Sequence, residues 1–295
     1  MVTYNPKDWI TPILYFHKAD TFRKLWPLLI GIGIYTALVA WVEIRYLKLS
    51  DTSYVKNITL MHNLLGFAIS MLLVFRTNTA YDRWWEGRKM WGGLVNNSRN
   101  LAIKLEVMLP HGASHHKTYF SKLISLFARE LSNHLHKEKT RLILDTSPHP
   151  EIPDFDRKRH IPAQIAILMH RRIQDLYRQG IITGDQLITL NAEAQSFMDI
   201  CGACERIKNT PIPYSYSTFI KKFVAVYVLT LPLGFVFSLG YLAIPLVMFI
   251  FYVLASLELI AEEIEDPFGS DVNDLPMEKL AENISSNVED ILGAR

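Results

Sequence analysis

Apolar positions along the chain gather into three stretches without a single charged side chain, at residues 25–42, 57–75 and 223–257. A helix rises about 1.5 Å per residue and a bilayer core is about 30 Å thick, so ~20 apolar residues make one crossing. The first two stretches, 18 and 19 residues long, each predict one membrane helix, at about 25–43 and 57–76. The third, with 35 residues, is too long for a single crossing. Ser238, Gly240 and Pro245 lie near its middle, and such residues favour a tight turn. It reads as a helical hairpin, about 223–239 and 242–258.

Elsewhere Leu, Ile and Phe recur at helical spacing among charges. Residues 83–108, 119–136, 161–179 and 185–207 each predict a helix. Pro148, Pro150 and Pro153 mark a loop, and Gly180 and Gly184 set off the last of these helices. No proline interrupts 83–108 before Pro110, so the second membrane helix is expected to run on unbroken past the bilayer. The fold class is all-α: an integral membrane protein with four membrane helices. Its helical extramembrane region takes in 77–222 and 259–295, and the whole chain reads as a single domain.

Composition narrows the function. Charged residues are 20% of the 295, below the roughly 25% of soluble domains, while 49% are hydrophobic. Two cysteines exclude a disulfide scaffold, and a net charge of +2 excludes a nucleic-acid binder held by bulk positive charge. The charge is segregated: net +3 over residues 1–75, +8 over 76–222 and −9 over 223–295. Either the acidic tail packs against the basic middle or the two are solvated separately. The 238–245 turn has no Lys or Arg, whereas Lys18, Arg23, Lys24, Arg76, Arg83, Lys221 and Lys222 flank the other ends of the spans. The positive-inside rule then puts both termini and residues 77–222 in the cytoplasm, with Arg45, Lys48 and Lys56 in the 43–56 loop as a mild dissent.

Catalytic chemistry finds no residues. His111, His115, His116, His134 and His136 cluster in sequence without a zinc-ligand spacing and read as solvated histidines. Cys201 and Cys204 have redox spacing without the strand–turn–helix context and read as small packing residues. There is no phosphate loop and no nucleophile elbow, so the chain does not read as an enzyme. The second membrane helix says more. Phe67, Met71 and Phe75 share a stripe that starts from Asn63 and continues to Asn78 and Asp82. Several copies around an axis would make a polar vestibule, an apolar constriction and a polar inner cavity, and apolar constrictions gate by dewetting. The other reading of the same stripe is bundle packing. The acidic run Glu258, Glu262, Glu263, Glu265, Asp266, Asp271 and Asp274, broken by Pro267 and Gly269, suits either salt bridges or a hard cation.

Several motifs together resemble the bestrophin family of ion channels, in its bacterial branch. They are Phe75-Arg-Thr-Asn, Tyr81-Asp-Arg-Trp-Trp-Glu-Gly-Arg with Trp91-Gly, Cys204-Glu-Arg-Ile-Lys-Asn-Thr-Pro-Ile-Pro-Tyr and Glu262-Glu-Ile-Glu-Asp-Pro-Phe-Gly. The resemblance implies a homopentamer in the bacterial inner membrane with one central pore. The second span of each subunit would line it, and Phe67, Met71 and Phe75 would form three apolar neck rings. It also implies a second constriction at the cytosolic exit, at Asp185, or at Ile181, Ile182 or Ile188 if the register slips; Asp185 as a helix cap is the competing reading. Glu263, Asp266, Asp271 and Asp274 match the positions where animal members hold Ca²⁺. No cofactor is required, and Ca²⁺ is not expected to gate a bacterial member.

The resulting expectation is a channel for small monovalent ions, with Na⁺ as the first reading from the bacterial branch and a ring of Asp185 carboxylates. Anion conduction, as in animal bestrophins, is the alternative. A secondary transporter is a third, though the chain lacks paired interrupted spans in two related halves. Its partners are the lipid membrane, further copies of itself and the permeating ions, with no nucleic acid.

Overall fold

The computed structural model describes residues 20–47, 58–110, 112–136, 152, 155, 156 and 158–293. His111, Lys18, Lys48, Lys56 and the Pro148, Pro150 and Pro153 loop lie outside the described residues. What is described is helical, without a strand: α1 (Asp20–Val42), α2 (Ile58–Met108), α3 (Ser114–Leu135), α4 (Ile161–Arg178), α5 (Gly184–Asn209), α6 (Tyr214–Leu239), α7 (Ala243–Glu265) and α8 (Met277–Leu292). A π-helical turn, Glu43–Leu47, follows α1, and a 3₁₀ turn, Gly240–Leu242, joins α6 to α7. Three stretches are long and apolar enough to cross a membrane: Thr21–Tyr46, Leu60–Met108 and Tyr214–Glu265.

The helices form two compact units, one of Val2–Asp82 and Pro211–Glu265, the other of Arg83–Thr210 and Asp266–Arg295. Helix α2 contributes to both and is unbroken over 51 residues, as the lack of a proline before Pro110 predicts.

In the apolar unit the long third stretch does reverse. Gly240 sits at φ 56°, a left-handed conformation that costs glycine nothing and other residues much more. Helices α6 and α7 then run back along each other. Lys221 in the second turn of α6 meets Glu262 in the last turn of α7, with Nζ 3.1 and 3.0 Å from its two carboxylate oxygens. Ile69 and Leu73 of α2 pack with Ile220, Val224, Val228 and Leu231 of α6 and with Val247 and Leu254 of α7. At Gly66 a Cβ would stand 2.8 Å from the Tyr227 hydroxyl, so the absent side chain lets α2 and α6 come close. The α6 hydroxyl of Thr230 lies 3.0 Å from His62 Nε2 one turn further along α2.

The acidic end of α7 meets the expected basic partners within this unit. Arg76 is wholly buried; its Nε donates to Glu258 Oε1 at 3.4 Å and its Nη2 to Glu265 Oε2 at 2.7 Å. The other oxygen of Glu265 accepts the Ile212 backbone N–H at 2.7 Å, which fixes the entry to α6. Glu263 accepts from Lys24 of α1 at 2.8 Å.

The second unit has its own core, built from the later part of α2 with α3, α4, α5 and α8. Trp91, Leu94, Leu101 and Leu105 of α2 meet Phe120, Phe127 and Leu131 of α3, Ile165, Met169 and Ile173 of α4, and Phe197 and Cys201 of α5. Helix α8 covers this core with Met277, Ala281, Ile284, Val288 and Leu292, a stripe at helical spacing inside what reads in sequence as an acidic tail. The Arg83–Gly87 motif is a set of fastenings. Arg83 donates to the Ile207 carbonyl at 2.6 Å and to the Thr210 carbonyl, satisfying oxygens that the C-terminus of α5 leaves without helical partners. Trp84 Nε1 donates to the Asn273 carbonyl at 3.0 Å, and Glu86 accepts from Arg206 at 2.5 Å. A Cβ on Gly87 would lie 3.1 Å from Pro267 and from the buried Phe268 ring, so the missing side chain seats the Pro-Phe-Gly turn.

Two predictions separate the buried charge from the exposed one. Arg76→Leu leaves two acidic partners buried without their cation and should cost about 3–5 kcal/mol, read as a large fall in the thermal midpoint in detergent. Lys221→Ala removes a half-exposed pair and should cost less than about 1 kcal/mol by the same measurement.

Candidate pore-lining face

Helix α2 presents two faces within the apolar unit. Ile69, Leu73, Arg76 and Ala80 point inward and are buried. Asn63, Phe67, Met71, Phe75, Asn78 and Asp82 are all exposed, the apolar three at 69%, 45% and 56%. These side chains lie on an outward face of α2, with Leu60, Met61, Leu64 and Val74 also exposed near them, and they are not buried against the rest of the described chain. The smaller polar groups nearby bond back to their own helix: Ser70 to the Gly66 carbonyl at 2.7 Å, Thr77 to Leu73 at 2.8 Å and Thr79 to Phe75 at 2.9 Å. Their hydroxyls are thereby satisfied without water or a partner chain.

The start of α5 corrects one expectation. Thr183 is the cap: its hydroxyl accepts the Gln186 N–H at 3.4 Å while Gln186 Oε1 accepts the Thr183 N–H at 2.9 Å, a reciprocal capping box. Asp185 sits two positions further in, with an exposed side chain that caps nothing. Of the alternatives, Ile182 is buried in the core and Ile181 packs against it, whereas Ile188 is 71% exposed. Asp185 and Ile188 are three residues apart and so share a helical face that the subunit leaves uncovered.

Of the acidic residues, Glu263 at the end of α7 is engaged by Lys24, and in the following turn Asp274, buried, accepts the Asp271 N–H at 2.5 Å. Its Oδ2 would lie 2.7 Å from a Cβ on Gly269, so that glycine makes room for the carboxylate. Asp266 and Asp271 belong to the same turn. The cysteines are buried and free, and burial pushes both thiols up to about 12, which leaves them protonated and inert at neutral pH. They pack in the core, as their small size suggests.

One convergence is invisible in the sequence. Among the described residues, His134, His160 and Glu205 bring three metal-ligating atoms within 4.8 Å of one another. Burial alone would raise the Glu205 pKa, but hydrogen bonds from His160 and His134 outweigh it and hold the carboxyl below its ordinary value. The residues are 26 to 71 positions apart with no local spacing, so only the fold reveals them.

Alongside this geometry, the sequence itself is similar to known proteins. The sequence profile described as "Bacterial/Fungal Bestrophin protein" matches residues 1–290. The chain belongs to the bestrophin family. Among this bestrophin's relatives, a voltage-dependent anion channel-forming protein of Synechocystis is 34% identical, over 77% of this chain and 75% of that protein. The voltage-dependent anion channel-forming protein YneE of Escherichia coli K12 is 29% identical over 96% and 91%. A crystal structure of a bacterial bestrophin homolog from Klebsiella pneumoniae superposes with a TM-score of 0.76 at 25% identity, over 90% of this chain and 98% of that one.

The capping geometry predicts that Thr183→Ala costs this bestrophin about 0.5–2 kcal/mol of stability, whereas Asp185→Ala changes it by only a few tenths. Thermal denaturation of the two variants in parallel checks this.

Proposed function

We propose that this bestrophin is an ion channel: a homopentamer in the bacterial inner membrane whose α2 helices surround a single pore. The observation that carries the reading is the exposed stripe of Phe67, Met71 and Phe75 between Asn63 and Asn78–Asp82. Large apolar side chains left uncovered on a monomer call for lipid or a partner, and the polar ends of the same stripe suit water better than lipid. A ring of such stripes satisfies both requirements: Asn63 lines a wet vestibule, the three apolar residues a neck, and Asn78 and Asp82 a wet inner cavity. Each subunit crosses four times, by α1, the first half of α2, α6 and α7. Both termini are cytoplasmic, a topology supported by the reversal at Gly240 and the basic residues at the opposite ends. The two compact units act together as one channel module.

The first reading of selectivity is cation conduction, chiefly Na⁺. It is supported by exposed carboxylates at Asp82 on the stripe and at Asp185, the candidate for a second constriction with Ile188 as its apolar neighbour. The second reading is anion conduction, supported by the names of the relatives from Synechocystis and Escherichia coli. Glu263, Asp266, Asp271 and Asp274 serve structure, and Ca²⁺ held there would not gate.

Planar-bilayer recordings of the purified protein in asymmetric NaCl test the proposal. The current should reverse near the Na⁺ equilibrium potential, and a reversal near that of Cl⁻ selects the anion reading. Replacing Phe67, Met71 and Phe75 together by Ala should widen and wet the neck and raise single-channel conductance several-fold. Unchanged conductance in the triple variant would place the pore elsewhere.

A further inference from the structure

We propose that His134, His160 and Glu205 form a binding site for a divalent transition-metal ion, Zn²⁺ by the chemistry of the donors. The three come from different elements of one unit: His134 from the last turn of α3, His160 from the cap of α4 and Glu205 from α5. Nε2 of His134 and Nε2 of His160 stand 2.6 and 2.7 Å from the same oxygen, Oε1 of Glu205. The two ring centroids lie 4.6 Å apart with their planes at 68°, an edge-to-face arrangement. Lys208 Nζ donates to the His134 carbonyl at 2.9 Å and ties that end of α3 to α5. Each of the three side chains is about a third exposed, which leaves a path for an ion and room for a water ligand.

The donor set selects the metal. Two imidazole nitrogens and one carboxylate oxygen suit Zn²⁺, which takes three protein ligands and a solvent molecule in open tetrahedral sites. Ca²⁺ and Mg²⁺ prefer oxygen donors throughout. With metal–ligand bonds of about 2.0–2.1 Å, tetrahedral donors sit roughly 3.3 Å apart. The N···O separations then need to open by only about 0.7 Å, a small side-chain adjustment. Cys201 Sγ lies 4.0 Å from His160 Nε2 but is outside the converging set of three.

Proton placement adds a cost that can be tested. Nδ1 of His160 accepts the Ala163 N–H at 3.0 Å as the cap of α4, so in the metal-free protein its proton sits on Nε2, facing Glu205. Taking a metal at Nε2 displaces that proton and places one on Nδ1, which gives up the cap. A lost cap weakens binding roughly 2- to 30-fold. Charge neutralisation of Glu205 by the ion outweighs this, because ligand affinity for a structural metal exceeds any cap by orders of magnitude.

The experiment is Zn²⁺ titration by calorimetry, with metal content after dialysis, on the full-length protein in detergent. One Zn²⁺ per chain is expected, with a rise in the thermal midpoint as metal is added. His160→Asn keeps a good cap acceptor but removes the metal donor. It should leave the metal-free midpoint close to wild type while weakening Zn²⁺ binding by at least the 10–100-fold typical of losing even an outer-shell partner. Glu205→Gln should weaken binding similarly, and excess Ca²⁺ should not compete. The proposal is overturned by the absence of saturable Zn²⁺ binding in the wild type, by wild-type binding in His160→Asn, or by displacement of Zn²⁺ with Ca²⁺.

Discussion

The buried guanidinium of Arg76 decides which way helix α2 faces. The helix carries large apolar side chains on both sides, Ile69 and Leu73 inward and Phe67, Met71 and Phe75 outward, so hydrophobic burial alone gives it little preferred rotation. Phe75 and Arg76 are adjacent, about 100° apart around the axis. Turning the helix to bury Phe75 would swing Arg76 out of reach of Glu258 and Glu265 and leave three charges unpaired in an apolar setting. Losing one partner of a buried pair costs several kcal/mol, more than one aromatic ring gains by exchanging one apolar neighbour for another. The charges thus set the rotation, and the exposed stripe is a consequence of it. Because Glu265 also accepts the Ile212 N–H, the same contact fixes where α6 begins.

The residues that most mark the chain as a bestrophin have structural work close to hand. Arg83 satisfies carbonyls at the end of α5, Trp84 holds the backbone of the acidic turn, Glu86 pairs with Arg206, and Gly87 makes room for Phe268. Each of these contacts joins parts of the chain more than a hundred residues apart. A substitution here leaves a carbonyl, a charge or a buried contact unsatisfied on the far partner.

Much of this was legible in the sequence because it depends on local rules. Charge-free runs of known length report membrane helices, Gly240 reports a reversal, and the absence of proline reports the unbroken α2. The stripe from Asn63 to Asp82 follows from helical periodicity alone. What escaped depends on the competition between neighbours or on distant partners. Asp185 looks like a cap, but the helix starts earlier, at a reciprocal capping box between Thr183 and Gln186. The tail is expected to be helical, but the packing role of α8 hides because its five buried apolar positions are interleaved with acidic residues that dominate the local charge. The meeting of His134, His160 and Glu205 has no sequence spacing at all, since three helices determine it.

On the channel reading, the neck itself carries little information about the sign of the ion. Phe67, Met71 and Phe75 are uncharged, and stripping water from either Na⁺ or Cl⁻ beside them is unfavourable. The choice falls to fixed charge close enough to be felt. Asp82 lies seven residues beyond Phe75, roughly 10 Å along the helix and so about one Debye length from the narrowest part at physiological salt. The cations nearby in sequence are already committed, Arg76 to two carboxylates and Arg83 to two carbonyls. The field of Arg76 is offset by its two carboxylates, whereas Arg83 keeps its net charge beside neutral carbonyls, and the Asp82 side chain is exposed on the stripe itself. On the proposed cation reading, that carboxylate repeated around an axis would raise the local concentration of cations at the mouth of an otherwise indifferent neck. On that reading selectivity and dehydration would be separate properties of the same helix face, carried by different residues.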